Sequence, residues 1–228
     1  MCQVDPAWAC LSGSPPVSTQ EPPYKLNVQV RGVVDQNPKA GVQAKLCRKL
    51  DVDCTSPIAT GVSDSGGNVN FTVDMKGFTG YVQVLADGYV PSLFFFNPPI
   101  DRDTTTPISL ASTLENQGLL FTLGRQPSAG HGNVVISSRD CTGAPAAGVS
   151  YSSPNADGMT SSFYTVSDLP TGAATATDAG GYGGLINLPI GAATVVANLS
   201  NPKVELARIS LLVQEGAITY STVVPLAN

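Results

Sequence analysis

Apolar and polar residues alternate along this chain in runs of strand length. Leu26, Val28 and Val30 alternate with Asn27, Gln29 and Arg31, the period-two pattern of a half-buried strand. The cluster Asp35-Gln36-Asn37-Pro38 predicts a turn, after which Val42, Ala44 and Leu46 resume the alternation. Val69, Phe71 and Val73 form the next run, 80–86 a more fully buried one, 93–96 another, and Ile108 with Leu110 a short last one. A second series follows at 134–137, 149–152, 163–166, 185–188, 194–197, 207–213 and 218–224, with 168–184 as a long loop rich in Gly, Ala and Thr. Between the two series lies one predicted helix, 112–123. Ser112 and Glu115 there have capping-box spacing, and Leu114, Leu119, Leu120 and Leu123 would form its apolar stripe.

One phrase occurs twice. Pro38-Lys39-Ala40-Gly41-Val42 precedes Ser63-Asp64-Ser65-Gly66-Gly67, and Pro145-Ala146-Ala147-Gly148-Val149 precedes Thr177-Asp178-Ala179-Gly180-Gly181. A turn into a strand, then an Asp-x-Gly-Gly turn into another strand, is a β-architectural unit used twice. Gly41 and Gly148 read as turn-to-strand junctions, and Asp64 and Asp178 as side chains that bond their own turns.

Composition narrows the class. Charged residues make up 13% of the 228, against about 25% in an average soluble domain. The 23 Gly and 18 Pro suit many short strands joined by tight turns. The net charge of −5 comes without acidic runs, and the 12 Lys and Arg are scattered, which argues against a nucleic-acid surface. No apolar run approaches the roughly 20 residues of a membrane-spanning helix. The mix looks exported, to the periplasm, the outer membrane or the outside of the cell. Met1 followed directly by Cys2 reads as a start that replaces a removed targeting segment.

The five cysteines are Cys2, Cys10, Cys47, Cys54 and Cys141. Cys47 and Cys54 bracket a polar stretch suited to a hairpin tip, where a disulfide would close a short loop. Zinc is the rival, but this spacing without a nearby His or second Cys pair is poor for a metal. Cys2 could pair with Cys10, or one of them with Cys141. Cys2 is also a candidate lipid-bearing residue of a lipoprotein, although no lipobox is present. Trp8, the only tryptophan, predicts an N-terminal arm docked on the body and held by Cys10, with a Pro/Ser linker over 12–23.

The repeated phrases resemble those of the carboxypeptidase regulatory-like domain, a transthyretin-like (prealbumin-like) β-sandwich of exported bacterial proteins. Gly32, Asp35, Pro38, Gly41, Val42, Asp64, Gly67, Val69 and Phe71 carry the first match. Asp140, Gly143, Pro145, Gly148, Val149, Thr177, Asp178, Gly181, Leu188, Pro189, Gly191 and Val195 carry the second. The resemblance implies an all-β fold of two tandem Greek-key β-sandwich domains of transthyretin-like type with one short connecting helix. Arm and linker would occupy 1–23, the first sandwich 24–111, the helix and a loop 112–131, and the second sandwich 132–228. It implies no catalytic residue.

Candidate chemistry is sparse. His131 is the only histidine; a triad with Ser137 or Ser138 would need a nucleophile on a predicted strand, with no nucleophile elbow. Asp51 and Asp53 in the cysteine loop lack the full calcium-loop pattern. No cofactor motif or metal-ligand set stands out. The expected role is a non-catalytic structural or interaction module of the cell envelope or the secreted fraction, with a protein or carbohydrate as partner. A second reading is a carbohydrate- or other ligand-binding module, with Tyr151, Phe163, Tyr164 and Tyr182 as an exposed platform on the second domain's loops. A hydrolase on the same sandwich is the third.

Overall fold

The computed structural model describes residues 6–12, 18–200 and 203–225. The expectations for Met1, Cys2 and most of the linker lie outside them. The fold is all-β, with fifteen strands and one α-helix among the described residues.

In the first half, β1 (Tyr24–Gly32), β4 (Asn68–Val73) and β7 (Thr104–Leu110) form a small sheet in the order β4-β1-β7, with β1 and β7 parallel. The strands β2 (Gln43–Arg48), β3 (Ala59–Val62), β5 (Gly80–Leu85) and β6 (Ser92–Phe95) form a second layer. After helix α1 (Thr113–Thr122) the pattern returns. Here β8 (His131–Ser138) lies between β12 (Tyr182–Pro189) and a parallel β15 (Ile218–Val223), and a hairpin of β10 (Ser161–Val166) and β11 (Leu169–Thr171) extends the β12 side. The strands β9 (Val149–Ser152), β13 (Gly191–Leu199) and β14 (Val204–Val213) form a further small sheet, β14-β13-β9.

The two halves share a sheet. β15 also pairs in parallel with β6, so nine strands run in the order β11-β10-β12-β8-β15-β6-β5-β2-β3. Paired residues share a face. One row therefore reads Leu46, Val82, Phe94, Tyr220, Val135, Gly184, Phe163, and the opposite row Cys47, Tyr81, Phe95, Ser221, Ile136, Gly183, Tyr164. On the first face, Leu26, Val28 and Val30 of β4-β1-β7 meet Leu46, Val82 and Phe96, and farther along Leu120 of α1 meets Phe163 and Ile186. On the second face, sheet β14-β13-β9 and Trp8 close one apolar cluster that takes in Tyr81, Leu93, Phe95, Ile136 and Tyr164. The Phe triplet splits accordingly: Phe94 and Phe96 face one cluster and Phe95 the other.

The repeated phrases fold into matching corners. Gly41 and Gly148, both at positive φ (73° and 80°), donate N–H to the carbonyls of Ser63 and Thr177 at 2.9 and 2.8 Å. The buried Ser63 hydroxyl accepts from Val42 N–H at 2.9 Å and donates to Lys39 O at 2.6 Å. Thr177 does the same for Val149 (3.0 Å) and Ala146 (2.7 Å). Asp64 and Asp178 each accept the N–H two residues on at 2.8 Å. Gly67 and Gly181 have φ of 77° and 73° with the Val30 and Ser138 carbonyls against them, so a side chain is excluded by sterics and by backbone conformation. The junction glycines and turn aspartates are as the sequence predicts; the crosslinking hydroxyls of Ser63 and Thr177 are an addition.

Three expectations change. The segment 168–184 is not all loop, because it holds β11 and the start of β12. Strand β3 falls where the sequence pattern predicts no strand. The capping box forms, with Glu115 N–H donating to Ser112 Oγ at 3.2 Å and Ser112 N–H to Glu115 Oε2 at 2.6 Å. Leu114, however, points to solvent, and Asn116 takes an inward position beside Leu120.

Candidate functional site

The four rings proposed as a platform do not share a surface. Tyr151, Phe163 and Tyr164 are buried and Tyr182 is 42% exposed. Tyr151 and Tyr164 stack at 5.9 Å between centroids. The Tyr151 hydroxyl lies 2.6 Å from Ser138 Oγ, and Tyr151 N–H donates to the Tyr164 hydroxyl at 3.0 Å. Burial raises the Tyr151 phenol well above its ordinary pKa. The stack fits because Gly183, on the same row, has no side chain: a Cβ there would lie 2.6 Å from Tyr164 Cδ1, 2.8 Å from Phe163 O and 3.0 Å from Tyr151 Cε2. Gly183→Ala is expected to cost about 1–3 kcal/mol through overpacking, read as a lower urea midpoint, and an unchanged midpoint would refute this account of the stack.

A large apolar concavity lies on the opposite face. Where β4-β1-β7 ends and only α1 covers the shared sheet, a groove of about 590 Å³ remains over β15, β8, β12 and β10. Val135, Phe163, Ile218 and Tyr220 form its floor, and Glu115, Leu119 and Thr122 of α1 one wall. Val34 (72% exposed), Leu169 (70% exposed) and Tyr182 stand at its edge. Its charged lining residues are Glu115 and Asp168, both acidic. Burial, with Glu115 nearby, raises the Tyr220 phenol, so Tyr220 stays neutral at physiological pH.

A smaller cleft of about 200 Å³ holds His131 and Glu215 beside the buried Asn116, Asn133 and Asn187. Asn133 Nδ2 donates to Asn116 Oδ1 at 3.3 Å, Asn187 N–H to Asn133 Oδ1 at 3.1 Å and Asn187 Nδ2 to Gln126 O at 2.9 Å, which ties α1 and its following loop to the sheet. His131 has acceptors at both ring nitrogens, Ala129 O at 2.7 Å from Nδ1 and Asp157 Oδ2 at 2.9 Å from Nε2. The doubly protonated ring satisfies both, and neither nitrogen faces a serine as a general base would.

Comparison with known proteins finds no matching protein-family model and no matching curated protein. Several solved structures match. They include shaft pilin SpaA from Lactobacillus rhamnosus GG, at 11% identity over 90% of this chain and 98% of that one (TM-score 0.30). BcpA, the major pilin subunit of Bacillus cereus, matches at 11% identity over 88% and 99% (TM-score 0.29). The Bacillus anthracis TIE protein matches at 14% identity over 88% of this chain and 33% of that chain (TM-score 0.31), so the present chain spans a third of its length. Superpositions of this quality carry no argument about function.

The His131–Asp157 pair predicts a pH dependence. The bond to Asp157 is the main cause that raises His131 above its ordinary 6.5, and the bond to His131 the main one that lowers Asp157 to about 2. His131's contribution to stability is full below pH 6.5 and is lost as pH rises through its raised folded-state value. Asp157's contribution is present above pH 3.8 and is lost as pH falls through about 2. Melting temperature should therefore fall modestly from pH 5 to pH 8, and His131→Asn should remove that slope. An identical slope in the variant would count against the pair.

Cys47 and Cys54 are joined by a disulfide, with Cα atoms 5.5 Å apart. Asp51 builds the loop between them, accepting N–H bonds from Thr55 at 3.0 Å and Ser56 at 2.9 Å. The Ser56 bond is the largest of the effects that hold its carboxyl below the usual range. Cys10 pairs with Cys141. The groove escaped sequence reasoning, because its floor comes from three strands spread between residues 131 and 223 and its wall from the helix that precedes them.

Proposed function

We propose that this chain is an exported, non-catalytic structural and interaction module of the cell envelope or the secreted fraction, built as two tandem sandwiches over 24–111 and 132–228. The observation that carries this reading is β15, which joins both halves into one nine-stranded sheet. A shared sheet resists relative motion of the halves far better than a linker does. Two disulfides support a history in an oxidising compartment. The matching corners support reading each half as one copy of a transthyretin-like unit, and they carry part of the resemblance to the carboxypeptidase regulatory-like domain. The carbohydrate reading keeps Tyr182 as the one exposed ring of its four.

Thiol trapping in intact source cells tests the location. Alkylation before lysis should leave Cys10, Cys47, Cys54 and Cys141 unmodified, in protein recovered from the envelope or the medium. Four alkylated cysteines in a cytosolic fraction would overturn the proposal.

A further inference from the structure

The shared sheet is covered unequally. Over β6, β5 and β2 three strands of β4-β1-β7 lie on the first face, whereas over β15, β8, β12 and β10 the cover is a helix of ten residues. The uncovered strip is the groove. Large apolar side chains left in water at such a strip mark an interaction surface rather than ordinary surface scatter. Along the outer side of α1, Leu114 and Phe121 are exposed as well, seven residues apart and hence on one side of the helix.

The rim decides what kind of occupant fits. A small molecule held in the concavity would leave Val34 and Leu169 in water, because they stand at its edge and are mostly exposed. A polypeptide segment covers floor and rim together. Charge decides between partners. Among the described residues, the groove presents Glu115 and Asp168 and no Lys, Arg or His. One Glu115 oxygen accepts from Ser112 N–H, and no hydrogen bond among the described residues engages the other. A second copy docked face to face would set these carboxylates against their own counterparts, on a chain whose net charge is already −5, and like charges at an interface disfavour that pairing.

We infer that the groove between α1 and the β10–β12 strands binds a segment of a partner protein whose apolar side chains are flanked by lysine or arginine. The apolar residues lie on the half-buried Val135 and Leu119 and against the exposed Val34 and Leu169 of the rim. The cations meet Glu115 and Asp168, and the neutral Tyr220 hydroxyl offers a hydrogen bond to the segment's backbone. This rests on the interaction-module reading, but not on export.

Fluorescence polarisation with three labelled synthetic peptides tests it on the intact, oxidised protein: Lys-Leu-Val-Phe-Leu-Lys, its Glu-flanked counterpart, and Lys-Ser-Thr-Ser-Thr-Lys. The Lys-flanked apolar peptide should bind saturably, at least about fivefold tighter than the Glu-flanked one, and the gap should shrink as salt is raised. The polar peptide should bind weakest. Leu169→Ser and Val34→Ser, at exposed positions that leave the melting temperature unchanged, should each weaken binding about tenfold without altering the groove's charge. Asp168→Asn, which tolerates the same positive φ, should narrow the basic-over-acidic preference. Equal binding of the two apolar peptides, no saturable binding, or rim variants that bind like the parent would overturn the inference. So would a dimer in sedimentation that Leu169→Ser dissolves, which would make a second copy the occupant. A cytosolic, reduced protein that still shows the peptide preference would defeat the export proposal and leave this one standing.

Discussion

Replacing Thr219 by proline is expected to lower the unfolding free energy by about 3 kcal/mol, through a lost buried ladder hydrogen bond and backbone crowding, and to loosen both halves of the chain together. Thr219 is fully buried at the second position of β15, paired with Leu93 of β6 and Val134 of β8. A strand with neighbours on both edges has no solvent-facing side on which a proline can sit. The ring removes a ladder hydrogen bond and crowds the backbone beside it. Thr219→Val provides the control: it keeps the branched shape and loses the hydroxyl bond to Leu212 O at 2.7 Å, for about 1–2 kcal/mol. Urea unfolding should show the proline midpoint far below the valine midpoint. Early proteolysis should cut within 24–111 as well as beyond 131. Cleavage confined to the second half would show that β15 does not support β6.

The second large effect belongs to the long disulfide. Cys10 and Cys141 are separated by 131 residues, and Cys47 and Cys54 by 7. Closing the longer loop removes more freedom from the unfolded chain, about 5 kcal/mol against roughly 2–3 kcal/mol on the chain-entropy account. The long link also holds the 3₁₀ helix Pro6–Ser12, whose Trp8 is buried in the cluster beneath β14-β13-β9. Cys141 N–H donates to Ala7 O at 2.9 Å, so the arm is bonded to the body on both sides of Trp8. Substituting Cys10 and Cys141 by serine should therefore destabilise more than substituting Cys47 and Cys54, and should expose Trp8 to fluorescence quenchers. The reverse order of urea midpoints would sink the loop-length argument. Reduction of the denatured parent should release four thiols.

Much of the local structure was legible because it depends on neighbours in the chain. The alternation at Leu26, Val28 and Val30 marks β1, Ser112 and Glu115 mark the start of α1, and Asp64 and Asp178 mark the two turns. The polar run between Cys47 and Cys54 marks their pairing for the same reason. Where partners are remote, the pattern is silent. Alternation identifies β15 as a strand, but does not reveal that it runs parallel between β6 and β8. Tyr151 and Tyr164 look like loop-flanking aromatics among serines, and their burial follows from Gly183 on another strand. Leu114 extends an apolar stripe in the sequence, but Asn116 faces inward because Asn133 and Asn187 supply its buried polar company.

The position of β15 in the chain order also bears on biogenesis. It joins strands that all precede it, so during synthesis β6 and β8 emerge with their inner edges unpaired and stay so until β15 follows. Open edges of this kind are sites of unwanted pairing, and contacts that span so much sequence form slowly. The sheet that unites the two halves is completed only when β15, the last of its nine strands in chain order, arrives.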